Sequence, residues 1–228
     1  MYGNFRKFNH ITISGCVVRD AVIDGAFAVF RLAHNLVSGG KTIFLDCNLY
    51  FHGDKKPPMD ILRRGSKVIV DGSFSFRRSR EIIEVEKVVE NEPEMRVRSD
   101  GSRYLALQRI NRVELDAAFC SKPIIGKYGN VARFRLRHNL DQVNTIVRDG
   151  VMFPKEGERL PVSLLQEDCH IVVSGRLNLN TYRNTEGEQE IVVDSIRLDE
   201  REEQAVPAQA RIAEQLPEAA GHTRALVQ

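Results

Sequence analysis

The chain repeats itself. Phe30-Arg31-Leu32-Ala33-His34-Asn35-Leu36 returns 104 residues later as Phe134-Arg135-Leu136-Arg137-His138-Asn139-Leu140, with six of the seven positions identical. Lys67-Val68-Ile69-Val70-Asp71-Gly72 returns as His170-Ile171-Val172-Val173-Ser174-Gly175 at a distance of 103, and Asn9-His10-Ile11-Thr12-Ile13 as Asn111-Arg112-Val113-Glu114-Leu115 at 102. Order and spacing are both kept, so the 228 residues read as two copies of one unit of about a hundred residues, the usual size of a small domain. The drift from 102 to 104 places a small insertion in the first turn of the second copy, where a loop absorbs it cheaply.

The first copy is set at residues 1–92 and the second at 108–200. Between them, residues 93–107 form a linker, flanked by Glu90-Asn91-Glu92-Pro93-Glu94 and containing Ser99-Asp100-Gly101-Ser102: charge, Pro and Gly without an apolar rhythm. Residues 201–228 shift to Ala, Gln, Glu and Pro, with too few large apolar side chains for a core. They read as a disordered tail, or as a short helix over Ala205 to Leu216.

Within each copy the apolar period is two, the signature of half-buried strands. Ile11/Ile13, Phe30/Leu32, Val68/Val70 and Ile83/Val85 share a face in the first copy, as do Val113/Leu115, Phe134/Leu136, Ile171/Val173 and Ile191/Val193 in the second. Turn residues divide them: Asp24-Gly25, Ser38-Gly39-Gly40 and Asp71-Gly72, then Tyr128-Gly129-Asn130 and Glu186-Gly187. Met59 to Gly65 and Val162 to Asp168 break the rhythm where a short helical turn fits before the fourth strand. The expected fold class is all-β: two tandem five-stranded Greek-key barrels on the OB-fold plan, with a flexible C-terminal tail.

Hydrophobic residues make up 42% and charged residues 28%, which excludes wholesale disorder and collagen. No apolar run nears the roughly 18 residues of a membrane span, and Met1 to His10 does not read as a signal peptide. A soluble cytoplasmic protein is expected, with no membrane partner. Cys16, Cys47, Cys120 and Cys169 lie far apart with no Cys-x-x-Cys pair, so they are expected as small buried hydrophobes in a reducing compartment. No phosphate loop, nucleophile elbow or zinc-protease motif is present, so neither an enzyme nor a cofactor is expected. A net charge of +2 neither demands nor excludes a nucleic-acid partner, so the placement of the cations decides.

Ile110-Asn111-Arg112-Val113-Glu114-Leu115 opens the second copy, which continues through Pro123 to Tyr128-Gly129-Asn130-Val131-Ala132-Arg133-Phe134-Arg135-Leu136 and on to Val173-Ser174-Gly175-Arg176-Leu177. The first copy has Arg19-Asp20, Phe44-Leu45-Asp46-Cys47-Asn48-Leu49-Tyr50 and Leu62-Arg63-Arg64-Gly65-Ser66-Lys67-Val68 in order. These landmarks resemble bacterial single-stranded DNA-binding proteins, in a tandem form, over about Phe8 to Val89 and Ile110 to Leu198. The resemblance implies a protein that coats single-stranded DNA without sequence specificity in replication, recombination, repair or mobile-element transfer; RNA is left open as a ligand. The family commonly assembles four barrels, which implies a homodimer of this chain. It also implies replication or recombination proteins as partners, but the tail ends His222-Thr223-Arg224-Ala225-Leu226-Val227-Gln228, without the family's acidic tip.

A single-strand binder needs cations for phosphates and exposed rings for bases. Arg133, Arg135 and Arg137 alternate with Phe134 and Leu136, so their guanidinium groups share one strand face, and Arg31 stands at the place of Arg135 in the first copy. Arg77, Arg78 and Arg80 cluster at the expected hairpin after the fourth strand, with Arg63, Arg64 and Lys67 before it. Arg176, Tyr182 and Arg183 mark the longer hairpin of the second copy. For the rings, the resemblance points to Phe44 and Tyr50, to Phe153 at the place of Tyr50, and to Tyr182. The chain has no Trp, and Val147 stands where a ring matching Phe44 would be. An OB-fold assembly module with a reduced nucleic-acid face is therefore the alternative. Phe5, Arg6, Lys7 and Phe8 fit either a nucleic-acid clamp or a strand extension packed on a neighbour. The repeated His34-Asn35 and His138-Asn139 are expected as a turn with Asn in a left-handed conformation rather than as a metal site.

Overall fold

The computed structural model describes residues 8–36, 40–51, 56–140, 143–167, 169–179 and 188–198. The first copy contributes β1 (Asn9–Val17), β2 (Val22–Asp24), β3 (Phe27–Asn35), β4 (Thr42–Tyr50), β5 (Lys67–Arg77) and β6 (Arg80–Glu90). A hairpin of β7 (Glu94–Val97) and β8 (Arg103–Ala106) follows. The second copy contributes β9 (Asn111–Phe119), β10 (Ile124–Ile125), β11 (Ala132–Asn139), β12 (Thr145–Met152), β13 (His170–Leu179) and β14 (Gln189–Leu198).

Strand pairing runs β1-β5-β6-β4-β3 and returns from β3 to β1 through Cys16 opposite Ala33 and Val17 opposite Leu32. That closure makes a five-stranded barrel of OB type, in which β4 and β6 are the parallel pair. In the second copy the pairing runs β9-β13-β14-β12-β11 and returns through Leu136 opposite Phe119, again with one parallel pair, β12 and β14.

The alternation that marks the strands also builds the interior. Ile11, Ile13, Phe30, Leu32, Val68, Val70, Ile83 and Val85 are buried, and so are their counterparts Val113, Leu115, Phe134, Leu136, Ile171, Val173, Ile191 and Val193. Each such side chain contributes about 1.5–3 kcal/mol on leaving water.

Both circuits bend at the same place. The β5–β6 register slips between Asp71 and Gly72, and the β13–β14 register between Ser174 and Gly175. A Cβ on Gly72 would lie 2.2 Å from the Glu84 carbonyl oxygen and one on Gly175 2.3 Å from that of Val192, so each bulge admits only glycine. Asp71-Gly72, expected as a turn, is therefore a strand bulge; its counterpart Ser174-Gly175 could have revealed this, since it lies within an unbroken apolar strand.

β1 and β9 join the circuits as an antiparallel pair centred on Ile11 opposite Val113, with Asn9 opposite Leu115 and Ile13 opposite Asn111. Two equivalent asparagines brace the join. Asn9 Nδ2 donates to the Phe74 carbonyl at 2.9 Å while Asn9 Oδ1 accepts from the Phe74 N–H at 3.0 Å; Asn111 does the same with Leu177 at 2.9 Å in both directions.

The remaining segments and the cysteines compare with expectation as follows. Met59 to Gly65 forms consecutive turns without a helix, whereas the short helical turn expected within Val162 to Asp168 forms as a 3-10 turn at Val162–Leu164; Asp168 lies outside the described residues. The expected linker 93–107 contains the β7–β8 hairpin, paired from Glu94–Ala106 to Val97–Arg103. Of the cysteines only Cys47 is fully buried, and burial pushes its thiol pKa well up; Cys16, Cys120 and Cys169 are half-buried. The tail 201–228 lies outside the described residues.

Candidate nucleic-acid interface

Outward side chains of β3 and β4 stand opposite one another in pairs: Phe27 with Tyr50, Arg31 with Asp46, and Ala33 with Phe44. Strand alternation turns their neighbours Phe30, Leu32 and Leu45 into the core. Phe44 is 48% exposed and Tyr50 43%. The Arg31 guanidinium lies 5.3 Å from the Phe44 ring centroid and its Nε 3.5 Å from the Asp46 carboxylate. At the other end of the row, the Phe27 and Tyr50 centroids are 5.1 Å apart. Arg77 covers Phe27 at 4.1 Å and donates to Asp24 at 2.9 Å, with Arg78 reaching the same carboxylate at 3.6 Å. Arg77 thus serves as a plate behind the ring pair, while exposed Arg80 opens β6. Arg78 and Ser79 form the two-residue hairpin turn, both with positive φ, 51° and 62°.

On the second circuit Arg133, Arg135 and Arg137 do share the outer face of β11, between buried Phe134 and Leu136. Arg135 Nε donates to Asp149 at 3.3 Å, repeating the Arg31–Asp46 pair. Val147 stands opposite Arg137, and Phe153, 53% exposed, follows the end of β12. Arg176 Nη1 donates to Asp194 at 3.0 Å. Tyr182 and Arg183, like Phe5, Arg6 and Lys7, lie outside the described residues. Phe8 packs under the Arg197 guanidinium at 4.5 Å, and its carbonyl accepts from the Asp116 N–H, as a strand extension would.

The two faces approach each other at a cleft of about 260 Å³ lined by Phe44, Asp46, Glu81, Arg148 and Gln189, among others. Gln189 Nε2 donates to the Phe44 carbonyl at 3.4 Å and its Oε1 accepts from Arg148 at 3.1 Å. Arg148, only 7% exposed, pairs with Glu81 across the two copies and covers Phe74 at 4.9 Å. Burial pushes the Glu81 carboxyl above its ordinary pKa, against the opposing pull of Arg148.

His34 and His138 are corrected from turn to strand. Both are buried, and the Nδ1 of each donates to a backbone carbonyl at 2.6 Å, Ser14 for His34 and Asp116 for His138. Asn111 Nδ2 then donates to His34 Nε2 at 3.2 Å, so this imidazole is neutral. Burial lowers its pKa, the Ser14 bond partly offsets that, and Arg109 lowers it further. Asn35 and Asn139 accept from Thr42 and Thr145 at the mouth of each hairpin, and neither has a positive φ. Among the described residues no group of three His, Cys, Asp or Glu side chains could hold a metal.

Sequence reasoning missed Phe27, Asp24, Asp46, Asp149 and Arg148. Asp46 and Asp149 were findable as a repeated carboxylate, since they recur at a distance of 103. Arg148 was not, because its counterpart in the first copy is Leu45.

The wild-type single-stranded DNA binding protein from Thermus aquaticus is similar in structure, with a TM-score of 0.53 and 15% identity over 84% of this chain and 92% of that one. The likeness is one of fold. A deletion mutant of the Thermus aquaticus protein matches at a TM-score of 0.49 and 15% identity over 84% of this chain and 94% of that one. The second single-stranded DNA binding protein from Mycobacterium smegmatis matches at 0.33 and 18%, over 40% of this chain and 91% of its own. No family model and no curated protein matches the sequence. No helix among the described residues is long and apolar enough to cross a membrane.

Proposed function

We propose that this protein binds single-stranded DNA without sequence readout, using two tandem OB domains, residues 1–92 and 108–200, and no catalysis. The observation that carries the reading is the cross-strand row Phe44, Arg31 and Tyr50, exposed on the outer faces of β3 and β4 and matched by Arg133, Arg135 and Arg137 on β11. Exposed rings beside guanidinium groups suit unstacked bases and phosphates, and stacking contributes roughly 1–3 kcal/mol per base. The barrel architecture supports it, since OB-fold strands and loops form a surface suited to oligonucleotides. A homodimer with four barrels, acting in the cytoplasm in replication, recombination, repair or element transfer, completes the proposal.

One observation favours the assembly module as the second reading: Asp46 and Asp149 each neutralise the central arginine of their row. Fluorescence anisotropy of a labelled oligo-dT separates the two. Tight binding that weakens with salt and resists duplex competitor supports the single-strand reading. No binding at low salt overturns it in favour of assembly.

A further inference from the structure

Another cleft, of about 370 Å³, opens where the end of β3 meets the segment leading into β9, and its walls include Ser14, Ala33, His34, Lys67, Asn91 and Arg109. The join between the copies builds it. Asn91 is buried; its Nδ2 donates to the Gln108 carbonyl at 2.9 Å and its Oδ1 accepts from the Gln108 N–H at 3.1 Å, as Asn9 holds Phe74 and Asn111 holds Leu177. On the other side of Arg109, Ser14 Oγ accepts from the Ile110 N–H at 2.9 Å. These two clamps fix the chain around Arg109, whose side chain stays exposed, as does that of Lys67. Among the described residues lining the cleft none is acidic, and neither cation has an ion pair with a described residue. Two other clefts differ in this respect: one holds Asp46 and Glu81, the other Glu84 and Glu86. Arg109 also helps to depress the His34 pKa, so its positive field reaches the buried imidazole. In the second copy Asp116 and His170 stand at the places of Ser14 and Lys67, and the Asp116 carboxylate lies 2.8 Å from His138. A carboxylate there repels an anion.

We infer that this cleft is a phosphate site, in which Lys67 and Arg109 hold the backbone of a single strand whose base lies on Phe44. The strand's part in this rests on the single-strand reading above; the anion site does not. Ala33 links the two places, since it lines the cleft and stands opposite Phe44 across β3 and β4. Two cations over a cleft without carboxylates gain from an anion. A phosphodiester offers its unesterified oxygens to a guanidinium fork and an ammonium, both of which suit them. The Asn91 and Ser14 clamps place Arg109 without consuming its donors, so less ordering is left for the ligand to impose. Asp116 makes the equivalent place in the second copy unsuitable, which confines the site to the first half.

The test uses the full chain and two probes, an oligo-dT titrated across a salt series and inorganic phosphate titrated at constant ionic strength. Lys67→Gln with Arg109→Gln is expected to lower the oligo-dT salt slope by about 1.4, at roughly 0.7 per lost phosphate contact. Arg96→Gln with Arg103→Gln removes the same charge from the exposed β7–β8 hairpin and should keep the wild-type slope. The NMR shifts of the Gly15, His34 and Gln108 amides should move with either probe in wild type and stay still in the Lys67 and Arg109 variant. Unfolding midpoints confirm that each variant is folded. An equal drop in slope in both double variants makes the effect one of net charge and overturns the site, as does a drop with the wild-type amides unmoved by either probe. Amides that move with phosphate while the slope is unchanged overturn the strand's part and leave a site for free phosphate. If wild type binds oligo-dT yet slope and amides are both indifferent, the phosphate site fails while the single-strand reading stands. If oligo-dT does not bind, that reading falls, and the inorganic phosphate titration alone decides the cleft.

Discussion

Ile11 of β1 lies opposite Val113 of β9, and these are the same position in the two copies. The repeat therefore meets itself across an antiparallel pair in which Asn9 faces Leu115 and Ile13 faces Asn111, as at a two-fold axis. Residues that obey this pseudo-symmetry carry the fold. Those that break it, Arg148 against Leu45 and Phe44 against Val147, are where the surfaces of the two halves differ in chemistry.

The bulge glycines give the first prediction. Gly72→Ala and Gly175→Ala each push a methyl group into a backbone carbonyl, and each should destabilise the protein by about 1–3 kcal/mol. Denaturant midpoints read this directly. The two sites share no partner, so the double variant should show the sum.

Arg148 and Glu81 form a mostly buried pair, and Leu45 and Gln189 hold the symmetry-related places. Glu81→Ala alone strands a buried guanidinium and should cost about 3 kcal/mol, whereas Arg148→Leu with Glu81→Gln should be neutral or stabilising at neutral pH. Burial raises the Glu81 pKa, so its contribution is full below its ordinary 4.5 and is lost as pH rises through the folded value. Acidification from neutral pH should therefore shift the balance between wild type and the double variant toward wild type, as followed by urea midpoints.

His34 titrates with the opposite sense. Its folded pKa is depressed below 6.5, chiefly by burial, so the unfolded chain takes up the proton more readily. The stability this imidazole contributes is full above about pH 6.5 and falls as pH drops through the folded value. Wild-type midpoints should decline across that window more steeply than those of His34→Gln, and equal slopes would refute the assignment.

The Arg78-Ser79 turn holds two non-glycine residues at positive φ. Asn-Gly in their place fits the same hairpin geometry and should add about 1 kcal/mol. Arg78 is 79% exposed beside Asp24, so the loss of its ion pair should offset little of that gain. An upward shift of the denaturant midpoint with an unchanged slope is the expected result.

Much of the strand pattern could be read from residues alone because period-two alternation is a local property. Phe30/Leu32 and Phe134/Leu136 point inward wherever the sheet closes. The Arg133, Arg135 and Arg137 face followed from the same alternation. His34 and His138 were misread because a polar pair before a loop resembles a turn, and only the folded chain shows carbonyls of neighbouring strands waiting for each imidazole. The β7–β8 hairpin was missed because Met95, Val97 and Leu105 are exposed, so no buried face imposed a rhythm of the usual kind.

By itself the sequence determined the repeat, the all-β class and the outward placement of the arginine row, since each depends on spacing within a few residues. The tertiary structure decided what those residues touch. Register between strands put Asp46 beside Arg31 and Asp149 beside Arg135, and closure through β1 and β9 brought Arg148 to Glu81 over a separation of 67 residues. Such contacts join segments distant along the chain, and no local pattern encodes which distant segment will arrive.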